Sequence, residues 1–448
     1  MRLIKVQLVL LVLMTTTLGV KRLPGVEKEK GGNFTFTKVD LSLLEQADAM
    51  DKKLEREGMV YHDEAMETYV NQVGRAMLPS GTAPERVLWQ FRVVRDPLAN
   101  AFALPNGSIY VTTGLVSKLE NEDQMAGVLA HEMTHVTDRH AYLAFRDYRK
   151  KATIASIASY AASVAPGGTT WGAAISLAGN MVPVVMMASI NGYSRELERE
   201  ADMYAFNKMV EGNYDPNELV NTFRLLETNE EVNVSRIFYN DHPKLDDRIS
   251  YMTTMISSKP AVLVPPDVRA ARRMKYLSLT EQVAREDIRL SILSNRPRTA
   301  LTRAQKLLAF HPDSAEDLRV EADAYRSLGP WAPRPTDAEM GKHEVKKEQG
   351  LKMKLTPDEE ERQLLAKDEG QAAWRDNQRL AEETYKKALA IDPGNAKTYL
   401  GMGQLYEKTN RNKEALAAYE KYLELAPNAL DRQRVQGRID ILRRSVSQ

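Results

Sequence analysis

The sequence predicts a mostly α-helical protein in two parts: an α+β domain with a small antiparallel sheet, followed by an α-helical repeat domain. Three observations predict it. Apolar residues alternate with polar ones, the period of half-buried strands, between residues 87 and 113, while helical patterns occupy most of the remaining chain. Near the C-terminus, Pro393 and Pro427 are 34 residues apart, the period of a helical repeat. The length of 448 residues corresponds to about two to four domains.

The composition restricts the chemistry that the chain can use. Its 62 basic and 61 acidic residues give a formal charge of +1, whereas a dedicated nucleic-acid binder normally carries a basic excess. No cysteine is present, which excludes disulfides, thiolate metal sites and cysteine nucleophiles. A metal would therefore be held by His, Asp or Glu. The seven histidines are His62, His131, His135, His140, His242, His311 and His343.

The N-terminus has the order of a secretory signal peptide. Two positive charges precede an aliphatic run, followed by small and polar residues, and the run of about 15 residues is short for a bilayer span. We expect residues 1–20 to be a cleaved signal peptide for export to a bacterial periplasm. An uncleaved anchor or an organelle transit peptide are the alternatives. Two helical patterns then lead in, at residues 41–56 and 62–78.

Three short segments predict the sheet. Residues 87–93 alternate between apolar and more polar side chains. Strands at 99–104 and 108–113 flank the step from Asn106 to Gly107, which favours the positive backbone angles of a tight hairpin. We expect a small sheet in which neighbouring strands are antiparallel.

A helix predicted from about residue 121 to 140 contains the pattern H-E-M-T-H. Four residues advance a helix by about 400°, so His131 and His135 share one face and can share a cation, with Glu132 in the position of a general base. An ordinary histidine pair is the alternative, although both rings point about 140° away from the apolar stripe that docks this helix. His140 would lie about 140° around a straight helix from His135, and we expect a structural role for it.

The next segment, residues 152–190, is apolar and rich in Ala, Gly and Met. Neither half is a clean span of about 20 residues, so we expect two helices that pack on the core or line the site, with a membrane hairpin as the alternative. A polar helix should run from Ser194 to near Gly212. In it Glu198 and Asp202 are four residues apart, so one could bind a metal while the other accepts a ring N–H of a ligating histidine. Alone, this pattern is also typical of a solvated helix face.

Four motifs in this order resemble the HtpX and CAAX-protease-like gluzincin metallopeptidases, whose soluble periplasmic, BepA-like branch adds C-terminal tetratricopeptide repeats. The resemblance covers about residues 40–258 plus the repeats, and it implies a gluzincin-type α+β zinc metallopeptidase domain at residues 38–258. The motifs are the H-E-M-T-H helix, S-R-x-x-E-x-E-A-D at residues 194–202, N-A-F-A-L-P-N-G-S-I-Y-V at residues 100–111, and His242-Pro243 with Arg248.

The resemblance implies a role for each residue of the site. One zinc ion would be bound by His131, His135 and Glu198. Glu132 would be the general base, and Asp202 would support a ligand from the second shell of contacts. These five assignments come from the matched motifs, and they agree with the helical spacing described above.

His242 and Arg248 match a further element that lies near the metal in this family. Each of these residues could donate a hydrogen bond to the oxyanion of a tetrahedral intermediate. We therefore predict His242 and Arg248 as catalytic residues. His242 could instead occupy the open metal position and keep the enzyme latent. A purely structural helix start with an ion pair at Arg248 is the third alternative.

The hairpin has a predicted use in substrate binding. An extended peptide can add to an exposed strand edge through backbone hydrogen bonds that are indifferent to sequence, which favours unfolded segments. Strand 108–113 leads into the metal helix, and we expect it to be that edge. The predicted substrate-binding residues are Asn100, Ala101, Ser108, Ile109, Tyr110 and Val111.

The C-terminal part, residues 267–448, predicts a tetratricopeptide-repeat domain with an irregular insertion at about 329–357. Stacked helix pairs offer a concave surface for protein partners, and simple coverage of the peptidase is the alternative. The residues at consensus positions are Ala381, Tyr385, Ala388 and Pro393 in one repeat, and Tyr399, Gly403, Tyr406, Ala415, Tyr419 and Pro427 in the next.

These features together predict an exported zinc endopeptidase that acts on unfolded or misassembled envelope proteins in outer-membrane protein quality control. The repeats would bind clients or the outer-membrane assembly machinery, and peripheral association with the membrane is compatible with this function. The alternative is a chaperone or adaptor with a latent or structural zinc site. A membrane-embedded prenyl-protein protease is disfavoured because long apolar spans are lacking.

Overall fold

The computed structural model describes residues 38–78, 87–143, 193–227, 245–259, 264–329 and 357–446. Four sequence predictions lie outside these residues: the signal peptide, the apolar segment 152–190, His242, and nearly all of the insertion at 329–357. The chain divides into two units, residues 1–42 and 43–448. In the first unit, only the beginning of one helix is described.

Helices predominate among the described residues, which confirms the predicted class. None of these helices combines the length and the apolar character needed to cross a membrane. In chain order the elements are α1 (Lys38–Arg56), α2 (Glu64–Ala76), β1 (Gln90–Val94), β2 (Ala101–Ala103), β3 (Ser108–Thr112), α3 (Thr113–Lys118), α4 (Glu122–Thr137), α5 (Arg195–Glu211), α6 (Asn217–Glu227), α7 (Leu245–Ser257), α8 (Pro266–Leu293), α9 (Pro297–Phe310), α10 (Ala315–Ser327), α11 (Pro357–Ile391), α12 (Ala396–Lys408), α13 (Asn412–Leu425) and α14 (Arg432–Val446).

The sheet is mixed, and the prediction that it is antiparallel is wrong for one pair. The strand order is β1-β3-β2, with β3 parallel to β1 and antiparallel to β2. The predicted hairpin joins β2 to β3 through a turn in which Gly107 has a φ of 97°, a conformation that favours glycine. The strand β3 pairs with both earlier strands, and it runs in the same direction as β1. The sequence showed three consecutive strands but carried no signal for their spatial order.

The helix α4 lies at the centre of the core, against α2, α5, α6, α8 and the sheet. Asn121 caps its N-terminus by accepting a hydrogen bond from the backbone N–H of Gln124 at 2.9 Å. The Gln124 side chain in turn accepts from the backbone N–H of Glu120 at 2.7 Å. A Cβ at Gly127 would lie 3.0 Å from Met209 Sδ of α5, so glycine allows the two helices to approach closely. This packing fixes the side chains of α4 relative to those of α5.

The long helix α8 contacts both predicted domains. Its Tyr276 hydroxyl donates to the backbone oxygen of Val116 in α3 at 2.7 Å, and its later residues pack with α9 and α10. From α9, Lys306 Nζ donates to three backbone oxygens, of residues 117, 118 and 119, at 2.8, 3.1 and 2.6 Å. These hydrogen bonds connect the segment that leads into α4 to helix α9. The domain boundary near residue 265 stays a prediction.

The predicted repeat positions line the core between α11, α12 and α13. Ala381, Tyr385, Ala388 and Ala415 are fully buried, and Tyr406 and Tyr419 are nearly so. The small residues let neighbouring helices approach, while the tyrosines fill the space between them. The two prolines of the repeat, Pro393 and Pro427, lie exposed just after α11 and α13 end. The 34-residue spacing therefore marks helix ends.

Gly403 provides a test of this packing. A Cβ there would lie 2.6 Å from the buried ring of Tyr419, so we expect Gly403→Ala to lower the free energy of unfolding by about 1–3 kcal/mol through overpacking. Gly437 on α14 is the matched control because its Cβ would meet no atom within 4 Å. Gly437→Ala should be neutral or stabilising by about 0.5–1 kcal/mol. Denaturant unfolding of the full chain measures both changes, and equal losses would contradict the packing described.

Candidate metal centre

The helix α4 holds two histidines whose Nε2 atoms face each other. His131 Nε2 and His135 Nε2 are 3.1 Å apart, and the two residues are 7% and 4% exposed. Glu132 is half-buried beside them, and one ligand atom from each of the three residues lies within 4.8 Å of the others. The predicted arrangement on one helix face is present, because four residues complete slightly more than one turn.

The next helix in the core, α5, adds two carboxylates to the group. Glu198 Oε2 lies 3.4 Å from His131 Nε2, and Asp202 Oδ1 lies 2.9 Å from His131 Nδ1. Both acidic residues are fully buried. Ser194, where the polar helix is predicted to begin, occupies the N-cap position of α5, although its side chain makes no capping hydrogen bond there. Each ring nitrogen of His131 thus lies close to a different carboxylate, Nε2 to Glu198 and Nδ1 to Asp202.

The pKa values show that this group favours positive charge at His131. Burial alone would lower the pKa of His131, but hydrogen bonds to Asp202 and Glu198 outweigh it and raise the pKa to about 10. Burial would raise the pKa of Asp202, yet the Arg248 guanidinium and His131 hold it below its usual range. Asp202 is therefore ionised, and a cation or a proton at His131 is favoured electrostatically.

Arg248, on α7, is directed at the same two carboxylates. Its Nε and Nη2 donate to Asp202 Oδ2 and Oδ1 at 2.9 and 2.5 Å, and its Nη1 lies 3.2 Å from Glu198 Oε2. The guanidinium also covers the ring of Phe223, with its carbon 4.2 Å from the ring centroid. Tyr251, one turn further on α7, donates its hydroxyl to Asp202. Arg248 thus fixes the position of both carboxylates, whichever of its predicted roles applies.

Two aromatic contacts at the site were missed from the sequence. The Tyr193 ring stacks on His135 with centroids 4.0 Å apart, and its backbone N–H donates to Glu198 Oε1 at 3.4 Å. His140 Nδ1 lies 2.8 Å from His135 Nδ1. Helix α4 ends at Thr137, three residues earlier than predicted, so the straight-helix argument for His140 does not hold. Tyr193 directly precedes the polar helix motif, and that position is the only sequence signal for it.

A pocket opens beside the histidines. Asn100 and Ala101 line it, and Asn100 Oδ1 has no hydrogen-bond partner among the described residues. The other lining residues are mostly apolar: Ala99, Leu115, Val128, His131, Glu132, His135, Tyr193, Leu219, Thr222, Phe223, Leu226 and Arg248. The edge strand nearest the histidines is therefore β2, preceded by Asn100.

The prediction that strand 108–113 is the exposed edge is wrong. The strand β3 is central, its backbone pairs with β1 and β2, and its side chains are buried. Two of its polar side chains are held by Asp51 of α1: the Ser108 hydroxyl donates at 2.8 Å and the Tyr110 hydroxyl at 2.7 Å. An added peptide has no free backbone to pair with here. The predicted substrate-binding residues removed by this finding are Ser108, Ile109, Tyr110 and Val111.

The donor atoms fit a small divalent cation. Donors about 2.0–2.1 Å from a tetrahedral zinc ion lie about 3.3–3.4 Å apart. The two histidine Nε2 atoms are 3.1 Å apart, and His131 Nε2 is 3.4 Å from Glu198 Oε2. Both distances are close to the separation expected between zinc ligands. Both Nδ1 atoms already contact other side chains, which leaves the Nε2 atoms directed at one point. Glu132 is also near that point, so geometry alone leaves two carboxylates eligible as ligands.

Comparison with known proteins finds matches to both parts of the chain. Residues 64–256, which include every predicted site residue, match Peptidase family M48, and residues 379–439 match a tetratricopeptide repeat. The chain is 27% identical over 234 residues to the putative beta-barrel assembly-enhancing protease of Vibrio cholerae, covering 51% of this chain and 46% of that protein. It is 28% identical over 192 residues to the mitochondrial metalloendopeptidase OMA1 of Schizosaccharomyces pombe, covering 42% and 52%.

A third relative, the beta-barrel assembly-enhancing protease of Escherichia coli, is 22% identical over 173 residues, with coverage of 39% of this chain and 35% of that protein. The chain spans about half the length of the first two relatives that it matches. These matches confirm the predicted combination of a metallopeptidase domain with tetratricopeptide repeats.

Proposed function

We propose, from the match of residues 64–256 to peptidase family M48, that the chain is a zinc-dependent endopeptidase acting on unfolded or misassembled envelope proteins. The observation that carries the proposal is the close approach of His131 Nε2 to two other donor atoms, His135 Nε2 at 3.1 Å and Glu198 Oε2 at 3.4 Å. Such a donor set, beside a half-buried glutamate in a pocket, suits peptide hydrolysis.

In the proposed site, His131, His135 and Glu198 hold one zinc ion, which supplies a Lewis acid when bound. Glu198 is favoured over Glu132 as the third ligand because it is fully buried and fixed by Arg248. Asp202 accepts the Nδ1 hydrogen of His131, which leaves the Nε2 lone pair of that ring for the metal.

Glu132 is the proposed general base. It lines the pocket, so its carboxylate can accept a proton from the attacking water and then deliver that proton to the leaving amine. Arg248 is proposed to hold Asp202 and Glu198 in place, since its Nε and Nη2 donate to Asp202 and its Nη1 forms an ion pair with Glu198. For His242, oxyanion stabilisation and occupation of the open metal position both stay predictions.

The substrate is proposed to bind as an extended strand along β2. Asn100 precedes this edge strand, and its side-chain oxygen can accept a hydrogen bond from a peptide N–H. Ala101 leaves room for the peptide backbone. Pairing through backbone groups selects for unfolded segments, because a folded protein has few strands free to pair.

The setting proposed for this activity is the periplasm, reached through the signal peptide predicted at residues 1–20. Two of the relatives are named as beta-barrel assembly-enhancing proteases, which supports a role in outer-membrane protein quality control. The repeats would bind clients or the assembly machinery, because stacked helix pairs form extended protein-binding surfaces.

Purified chain should contain zinc at about one ion per molecule and cleave an unfolded protein faster than the same protein when folded. Removal of zinc with a chelator should stop cleavage, and added zinc should restore it. Cleavage that persists without metal would contradict the proposal. If zinc is bound but nothing is cleaved, His242→Ala tests for a latent enzyme, and continued inactivity would favour the chaperone or adaptor function.

A further inference from the structure

His140 contacts His135, one of the two histidines of the metal centre. The chain turns after Thr137, where Arg139 adopts a φ of 59°, a conformation uncommon for residues other than glycine. This turn returns His140 to the side of His135, with ring centroids 4.9 Å apart and an Nδ1 to Nδ1 distance of 2.8 Å. His140 is fully buried. The unusual backbone therefore serves a specific contact between two imidazoles.

Two nitrogens at this distance share one hydrogen, so one ring donates and the other accepts. If His135 binds zinc through its Nε2 lone pair, as in the proposed function, the N–H hydrogen of its ring must lie on Nδ1. His140 must accept that hydrogen on Nδ1 and carry its own hydrogen on Nε2. Glu200 Oε2 lies 3.6 Å from that Nε2, longer than a hydrogen bond but close enough for electrostatic attraction.

We propose that His140 is a positioning residue that fixes the tautomer and orientation of His135 and is itself oriented by Glu200. This inference rests on the proposed function, since it takes His135 as a zinc ligand. The arrangement parallels the one at His131, whose Nδ1 is 2.9 Å from Asp202. Each of the two histidine ligands would then have its own support, a carboxylate for one and a second imidazole for the other.

The same residues could in principle bind a second cation, because ligand atoms of Asp138, His140 and Glu200 lie within 4.8 Å of one another. Such a cation would need the lone pair of His140 Nε2, which moves the His140 hydrogen to Nδ1. His135 would then have to accept on Nδ1 and carry its hydrogen on Nε2, where it would block the zinc. Occupation of the two sites is therefore mutually exclusive, and the supporting role is the one compatible with zinc at His135.

The test is the zinc affinity of the full chain, measured by competition with a chelating dye. His140→Phe keeps an aromatic ring but removes the acceptor, and it should weaken zinc binding by about 10- to 100-fold. His140→Gln supplies an amide oxygen that can accept from His135, so it should recover part of the loss. His62→Phe, at an exposed histidine paired with Glu55 and Glu67, should leave the affinity unchanged.

Nitrogen-15 NMR of histidines in the zinc-loaded wild-type chain provides a second readout that needs no variant. His140 should show an unprotonated Nδ1 and a protonated Nε2, and the opposite pattern would overturn the inference. Wild-type chain that binds no zinc would overturn the proposed function as well. Zinc bound equally tightly by wild type and His140→Phe would overturn the supporting role alone. A second zinc ion that is lost in His140→Phe would assign these residues to a separate cation site.

Discussion

Glu132→Gln is expected to abolish peptide hydrolysis while zinc stays bound and the fold is unchanged. The substitution keeps the size of the side chain and removes only its ability to accept a proton. Glu132 is half-buried and lines the pocket, whereas the proposed ligands are His131, His135 and Glu198. Loss of a general base costs typically about 10²- to 10⁴-fold in rate. Cleavage of an unfolded protein and zinc content, measured on the same preparation, check both halves of the expectation.

Glu211→Gln is the matched control for this variant. Glu211 ends α5, is 60% exposed and pairs with Lys208, so its substitution removes a carboxylate of the same helix pair away from the pocket. Its activity should equal that of the wild type. Full activity in Glu132→Gln would exclude Glu132 as the base. Loss of zinc together with activity would instead identify Glu132 as a ligand, which the geometry of the three-residue group also permits.

The parts of the site that were predictable from the sequence are those in which spacing along one helix decides the geometry. His131 and His135 share a face because of the helical repeat, and the same holds for Glu198 and Asp202 on α5. That the two helices bring these pairs together was implied by the resemblance to a known family. The close contact of the helices at Gly127 shows the physical means, since a larger residue there would meet Met209.

The parts that could not be predicted depend on contacts between distant segments or on an unusual backbone conformation. The order of the strands is a property of the whole sheet, so the central position of β3 left no local pattern to detect. The turn that brings His140 to His135 uses an arginine, Arg139, at a positive φ. Sequence rules assign that conformation to glycine, asparagine or aspartate. The predicted helix accordingly extends to residue 140, whereas α4 ends at Thr137.

Arg248→Met is expected to destabilise the zinc-free chain strongly and the zinc-loaded chain much less. Methionine retains an apolar stem against Phe223 but leaves the buried carboxylates of Asp202 and Glu198 without their shared cation. Removing one partner of a buried ion pair typically costs about 3–5 kcal/mol. In the zinc-free variant, the single positive charge of protonated His131 compensates for only one of the two carboxylate charges. Two positive charges on zinc would balance both, so the loss should shrink when zinc is present.

Urea unfolding of wild type and Arg248→Met, each with and without zinc, measures this difference. Arg199→Met is the control: Arg199 lies on α5 over the ring of Tyr251, at 4.7 Å, but is exposed, so its loss should change stability by no more than about 1 kcal/mol in either condition. If Arg248→Met costs the same with and without zinc, the charge of Arg248 and that of the metal do not act on the same carboxylates. Dependence on zinc would link the ion pair of α7 to the metal centre, because a cation bound between His131 and Glu198 can compensate for the missing guanidinium charge.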